Sequence, residues 1–182
     1  MKEKNYGNNI CCAISNFSDN LHSCSFKCQY LFPNNKVKDN MTKDNNLKRF
    51  IEAQEANYEI ALSEVKNGRK RSHWMWYIFP QIQGLGFSET SKFYAIKDIK
   101  EAEEFLKHPV LGNRLVTICD ELLKLESNDA NKIFGSPDDL KLKSSMTLFS
   151  LVPGANPVFQ SVLKKFFNGA ADNKTLAVIN QR

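Results

Sequence analysis

From Leu47 onward, apolar residues recur at helical spacing in one stretch after another, and no two stretches read as strands joined by a hairpin turn. That pattern confines this part of the chain to an all-α fold, a compact multi-helix orthogonal bundle in which short amphipathic helices cover one another's apolar stripes. The first stripe is Leu47, Phe50, Ile51, Tyr58, Ala61, Leu62 and Val65, with Asn45 or Asn46 placed to cap it and Gly68 to end it. A dense aromatic run, Ser72-His73-Trp74-Met75-Trp76-Tyr77-Ile78-Phe79, stops at Pro80, and Gln81 to Gly86 reads as a loop. Ser88 is placed to cap a short helix through Phe93 and Tyr94, and Asp98 another containing Ala102, Phe105 and Leu106. Pro109 fits the first turn of a longer helix through Leu123. Ser136-Pro137-Asp138-Asp139 combines a capping hydroxyl, a first-turn proline and acidic residues, and predicts a helix carrying Leu140, Leu142, Met146, Leu148 and Phe149. A further stripe from Val158 to Phe167 ends at Gly169, and Asp172 opens a last short helix with Leu176 and Ile179. No internal repeat is visible.

Residues 1–46 have a different texture. They are rich in Asn, Lys, Ser and Asp, with few periodic apolar positions, and read as a poorly structured N-terminal extension to a helical domain spanning 47–182. A chain of 182 residues accommodates one such domain plus a tail, with a core large enough to stand without covalent staples. No apolar run approaches bilayer-spanning length, so no membrane association is expected. Four of the five cysteines precede residue 46 and only Cys119 falls in the helical region. An odd number so distributed is no disulfide framework and points to a reducing, cytoplasmic compartment. The formal charge of +5 is spread out: six cations face four carboxylates up to residue 46, and 19 face 16 beyond it. This excess is compatible with an anionic ligand without demanding nucleic acid.

Four groups of residues have chemical potential. In Arg69-Lys70-Arg71-Ser72-His73-Trp74, arginine suits phosphate or carboxylate, tryptophan suits a flat ring, and histidine suits proton transfer. The plainer reading is a basic helix start followed by core aromatics, with His73 satisfying a backbone carbonyl. In the loop from Gln81 to Ser88, Gly84 and Gly86 permit close backbone approach to a ligand; the plainer reading is an ordinary turn. Lys141, Lys143, Ser144, Ser145 and Thr147 lie on one helix, with Lys141, Ser144 and Ser145 on one face; the plainer reading is an incidental polar side. Cys11, Cys12, His22, Cys24 and Cys28 in the tail include metal-ligand residue types, but their spacing matches no familiar zinc site, so no metal or other cofactor is expected. Nor is there a Walker loop, a nucleophile elbow or a zinc-protease helix. Asp138 and Asp139 are accounted for by capping, and His108 by its place at a helix junction.

The segments Gly68 to Gln81, Gly84-Leu85-Gly86, Phe93-Tyr94-Ala95-Ile96, His108-Pro109-Val110-Leu111-Gly112 and Asp138 to Phe149 together resemble a bacterial family, domain of unknown function 1810. The likeness runs from about Leu47 to near the C-terminus, with the motifs in the same order. It implies an all-helical fold and supplies no established activity. The family's recurrent polar positions match Arg71, Ser72, His73, Trp74, Gln81, Tyr94, Lys143 and Ser144 here, and the resemblance carries an association with NAD or ADP-ribose metabolism.

The expectation is a pocket for a small anionic ligand, such as a nucleotide or ADP-ribose derivative, where the His73 segment meets the Gly84–Gly86 loop and the Lys141–Ser145 helix. In it Arg71 and Lys143 hold the anion, Trp74 or Tyr94 stacks, Ser72 and Gln81 orient polar groups, and His73 is the acid or base if there is chemistry. The competing expectation is a non-catalytic module whose basic, aromatic surface contacts protein or nucleic acid; a third is a regulatory domain whose partner surface lies in the tail.

Overall fold

The computed structural model describes the backbone of residues 36–181 and the side chains of residues 46–181. Among these it contains nine helices: α1 (Lys36–Lys66), α2 (Met75–Ile78), α3 (Glu89–Phe93), α4 (Ile99–Lys107), α5 (Leu111–Lys124), α6 (Ala130–Phe134), α7 (Asp138–Ser150), α8 (Val158–Phe167) and α9 (Asn173–Asn180). The one extended pairing described is an isolated parallel bridge between Ile82 and Ile96, which ties the loop after α2 to the approach of α4. The described residues are therefore all-α, as the periodicity predicts.

α1 buries Leu47, Phe50, Gln54, Tyr58, Ala61 and Val65 along one stripe. Its two polar members are bonded: Gln54 Nε2 donates to the Tyr77 carbonyl at 2.8 Å and the Tyr58 hydroxyl to the Arg114 carbonyl at 3.0 Å. A buried donor without an acceptor costs more than a hydrogen bond contributes, so these contacts fix α1 against α2 and α5. α7 is the centre of the bundle, packed against α4, α6, α8 and α9, while α5 packs against α1, α4 and α8. At Gly112 a Cβ would fall 2.0 Å from the Leu106 carbonyl oxygen; only glycine lets the start of α5 lie this near the end of α4.

Several predicted boundaries hold and several move. Ser88, Asp98 and Asp172 accept from the backbone N–H three residues on, as cap residues do. Gly68, at φ 63°, follows α1, and its N–H bonds the Val65 carbonyl. Asn45 and Asn46, however, lie inside α1, which begins at Lys36. Residues 36–45 contain neither Gly nor Pro, and extending a helix already nucleated by the packed turns after Leu47 costs little per residue. Ser136 does not cap α7: its bond to Pro137 is cis, Pro137 takes the cap position, and the first-turn amides bond to the Gly135 carbonyl and the Asp139 carboxylate instead. Pro109 lies before α5, whose opening N–H groups at Val110 and Leu111 are accepted by His108 Nδ1. α6, capped by Asp129, is a single turn that the apolar pattern did not announce.

Candidate functional site

The basic-aromatic motif before α2 folds around a carboxylate. Glu64, in the last turn of α1, accepts from Arg71 N at 2.7 Å, Ser72 N at 3.0 Å, Trp74 Nε1 at 2.8 Å and the Ser72 hydroxyl. Burial by itself pushes this carboxyl up, but four donors outweigh it and bring the pKa from an ordinary 4.5 to about 2. The hydroxyl of Ser72 and the indole N–H of Trp74 are thus committed within the protein. Trp74 is 1 % exposed, with Phe134 edge-on to its ring and Phe79 tilted against it, so it has no face for a ligand and the stacking role expected of it fails. Of the plainer reading, a basic helix start followed by core aromatics, the core aromatic part accounts for Trp74, whereas residues 69–74 precede α2 as a loop rather than opening a helix. Arg71 and His73 are exposed.

Lys70 carries the connection to α7. Its ammonium lies 2.8 Å from Asp138 Oδ2, and Lys141 Nζ lies 2.8 Å from Asp138 Oδ1. Burial raises the Asp138 carboxyl, and the two lysines together overcome that and hold it below the usual aspartate range. Lys141 in turn stands 4.7 Å from the centroid of the Trp76 ring, a cation–π arrangement.

Trp76 and Lys141 open onto a cavity of about 480 Å³. Gln81 and the Leu85–Ser88 loop line it from one side of the sequence, Pro137, Leu140, Lys141 and Ser144 from α7 and its approach, and Asp172 and Lys174 from the start of α9. The volume is that of a small-molecule pocket. Two of the three predicted segments, the glycine loop and the Lys141–Ser145 helix, therefore meet here, and the third reaches it through Trp76. Arg71, His73, Trp74, Tyr94 and Lys143 do not line it. Lys143 faces a different cavity, with its ammonium 5.8 Å from the Phe167 ring. Tyr94 belongs to an aromatic cluster with Phe50, Tyr77 and Phe93. The anion clamp expected from Arg71 and Lys143 is thus not assembled; the cations at the cavity are Lys141 and Lys174. A continuous aromatic run does not disclose which of its members is left partly uncovered, so the sequence does not single out Trp76.

The polar face expected on α7 is largely internal. Ser144, Ser145 and Thr147 are buried, whereas Leu140 is exposed. Ser144 Oγ lies 2.7 Å from Thr175 Oγ1, and Thr147 Oγ1 accepts from Asp172 N at 2.8 Å. These hydroxyls dock α9 onto α7 and so place Lys174 relative to Lys141. Asp172 accepts from both the N–H and the hydroxyl of Thr175, which turns its carboxylate toward its own helix.

A second cavity of about 510 Å³ includes Arg49, Lys92, Asp98 and Glu101 in its lining. Its central cation is already taken: Arg49 donates to the Ala95 carbonyl at 2.9 Å and to Glu101 at 2.7 Å. No group of three or more metal-ligating side chains occurs among the described residues. No described helix is long and apolar enough to cross a membrane. Cys11, Cys12, His22, Cys24 and Cys28 lie outside the described residues.

A solved structure, that of a conserved hypothetical protein from Mycobacterium tuberculosis, is similar to this chain at 42 % identity and a TM-score of 0.72, covering 74 % of this chain and 96 % of that one. No curated protein matches. The family model described as protein of unknown function (DUF1810) matches residues 44–179, and on that match the chain belongs to the DUF1810 family.

Proposed function

We propose that the cavity between the Gln81–Ser88 loop, α7 and the start of α9 binds a small anionic ligand, with nucleotides and ADP-ribose-type molecules the first class to test. One observation carries this reading: two lysines from different helices, Lys141 and Lys174, line the same pocket as a half-buried tryptophan, against a single lining carboxylate, Asp172, that is bonded into its own helix. A cationic wall beside an aromatic face suits a negatively charged group joined to a polar or ring-bearing body. Lys174 forms no ion pair among the described residues, so an incoming anion displaces no partner there. Gln81 supplies an amide able to donate and accept.

Binding to the folded state raises the melting temperature, increasingly but logarithmically with ligand concentration above the Kd. The test is a thermal-shift series on the full chain with inorganic phosphate, mononucleotides, NAD, ADP-ribose and short oligonucleotides. A concentration-dependent shift with a small anion that needs about tenfold more ligand in Lys174→Ala supports the pocket. A shift confined to oligonucleotides and abolished by moderate salt replaces it with a nucleic-acid surface. His73 lies outside the pocket lining, and no chemical step is assigned to it.

A further inference from the structure

We infer that the ligand of this pocket carries a flat apolar ring beside its charge, and that Phe87 and Leu140 select that ring. This inference rests on the anion-pocket reading above. Phe87 is 88 % exposed, more than any other large apolar side chain in the described residues, and Leu140 is 59 % exposed. Scattered exposed hydrophobes are ordinary on a soluble surface. These two are not scattered: both line the cavity that holds Lys141 and Lys174, and the partly covered Leu85 and Trp76 line it with them.

The exposure of Phe87 is built into its turn. Gly84 sits at φ 107°, open to glycine and strained for other residues. Gly86 is packed so closely that a Cβ would fall 2.5 Å from the Ser91 side chain. Ser91 Oγ donates to the Ser88 carbonyl at 2.7 Å, and Gln83 N donates to the Ile96 carbonyl at 2.8 Å. The residues before and after Phe87 are therefore held, and the ring between them is presented to solvent at the mouth of the pocket.

The volume decides what kind of occupant fits. About 480 Å³ is the size of a small-molecule site. An occupant that satisfies the whole lining has two parts: an anionic group for Lys141 and Lys174, and a planar apolar group for Phe87, Leu140 and Trp76. Inorganic phosphate or a sugar phosphate satisfies the first part only; an aryl phosphate or a nucleoside monophosphate satisfies both.

Matched pairs test this in the full chain: phenyl phosphate against inorganic phosphate, and adenosine monophosphate against ribose 5-phosphate. Affinity is read from thermal shift and from the fluorescence of the two tryptophans, of which Trp76 lines the pocket and Trp74 is buried. The expected result is that each ring-bearing member binds at least about tenfold more tightly than its partner. Phe87→Ala and Leu140→Ala, both surface changes that leave the melting temperature in place, then close that gap without altering sugar phosphate or phosphate binding. If the paired probes bind equally, or if the preference survives both variants, ring selection by these residues is wrong while the anion pocket stands. If no probe binds, or if Lys174→Ala leaves the affinity for every probe unchanged, the pocket reading fails and the inference fails with it.

Discussion

Ser144 on α7 donates its hydroxyl hydrogen to Thr175 on α9 across 2.7 Å. The direction follows from the neighbours. Thr175 Oγ1 lies 2.6 Å from Asp172 Oδ2, a carboxylate that only accepts, so the single hydrogen of Thr175 is used there and Ser144 must be the donor. The Asp172 backbone N–H meanwhile reaches Thr147, whose own hydrogen goes to the Lys143 carbonyl. A directed polar network in the interior of the bundle thus sets where α9, and with it Lys174, stands.

The two ends of that bond are not equivalent. Ser144→Ala leaves Thr175 still donating to Asp172 and costs about 1 kcal/mol. Thr175→Val strips the Asp172 carboxylate of a donor and leaves the buried Ser144 hydroxyl without its acceptor, so it costs about 2–3 kcal/mol. Denaturant unfolding of both variants and of the double variant measures this. Equal costs for the two single variants would contradict the assigned direction.

Glu64 gives a pH signature. Its pKa in the folded protein, about 2, is below the ordinary 4.5, so its contribution is complete above pH 4.5 and is lost as pH falls toward 2. Glu64→Gln keeps the size and one accepting oxygen but removes the charge, and is expected to cost about 2 kcal/mol near neutrality. The difference in melting temperature between wild type and variant then shrinks steadily between pH 4.5 and 2. A difference that stays constant across this window would mean that the carboxylate is not the group holding Ser72 and Trp74.

Glu64 also marks the limit of what the chain discloses on its own. Helical periodicity reports which faces are apolar, and for α1, α5 and α8 this was enough, because their buried positions recur at three- and four-residue spacing. It does not report which polar side chains will find each other across the fold. The motif Arg71-Ser72-His73-Trp74 advertises ligand chemistry until Glu64, distant enough in sequence to be read as part of another helix, is seen to occupy its donors. The polar residues of α7 mislead in the opposite sense: Ser144 and Ser145 look like a solvated face and are buried, Ser144 against Thr175 of α9. The loop and helix that line the pocket were legible from Gly84, Gly86 and Lys141. The identities of the second cation and of the uncovered ring depend on how α9 and the α2 turn pack, which no local pattern encodes.

Asp138 holds two lysines at once, and removing its charge separates stability from binding. Asp138→Asn leaves Lys70 and Lys141 close together in a half-buried site without their shared counter-ion. A loss of about 2–3 kcal/mol is expected, since the charges that remain are poorly hydrated. Lys141, released from its ion pair, becomes a stronger partner for an anion in the pocket. The variant should therefore melt earlier yet bind a small phosphate more tightly, as read by comparing ligand-induced shifts at matched distance from each protein's own melting point. For the wild type the Asp138 contribution is present above the ordinary aspartate range and fades as pH drops below it, because its pKa is lowered in the fold. Reduced binding in Asp138→Asn would place the anion away from Lys141.

Three lysine and arginine substitutions discriminate between the site suggested by the order of residues and the site formed in space. Arg71, Lys143 and Lys174 all carry a positive charge at pH 7, so removing any one changes the net charge equally and weakens long-range attraction of anions by the same small, salt-screened amount. Only Lys174 lines the cavity shared with Lys141 and Trp76; Lys143 lies on another cavity and Arg71 stands exposed before α2. Direct contact with a bound anion is a short-range effect that such screening does not remove. Lys174→Ala is therefore expected to weaken binding of a small phosphate about tenfold at physiological salt, equivalent to about 1.4 kcal/mol, while Arg71→Ala and Lys143→Ala change it less than about twofold. Isothermal titration of the three variants at two salt concentrations gives the comparison. If Arg71→Ala or Lys143→Ala has the larger effect, the ligand sits on the surface those residues share with solvent, and the pocket at Trp76 is not where it binds.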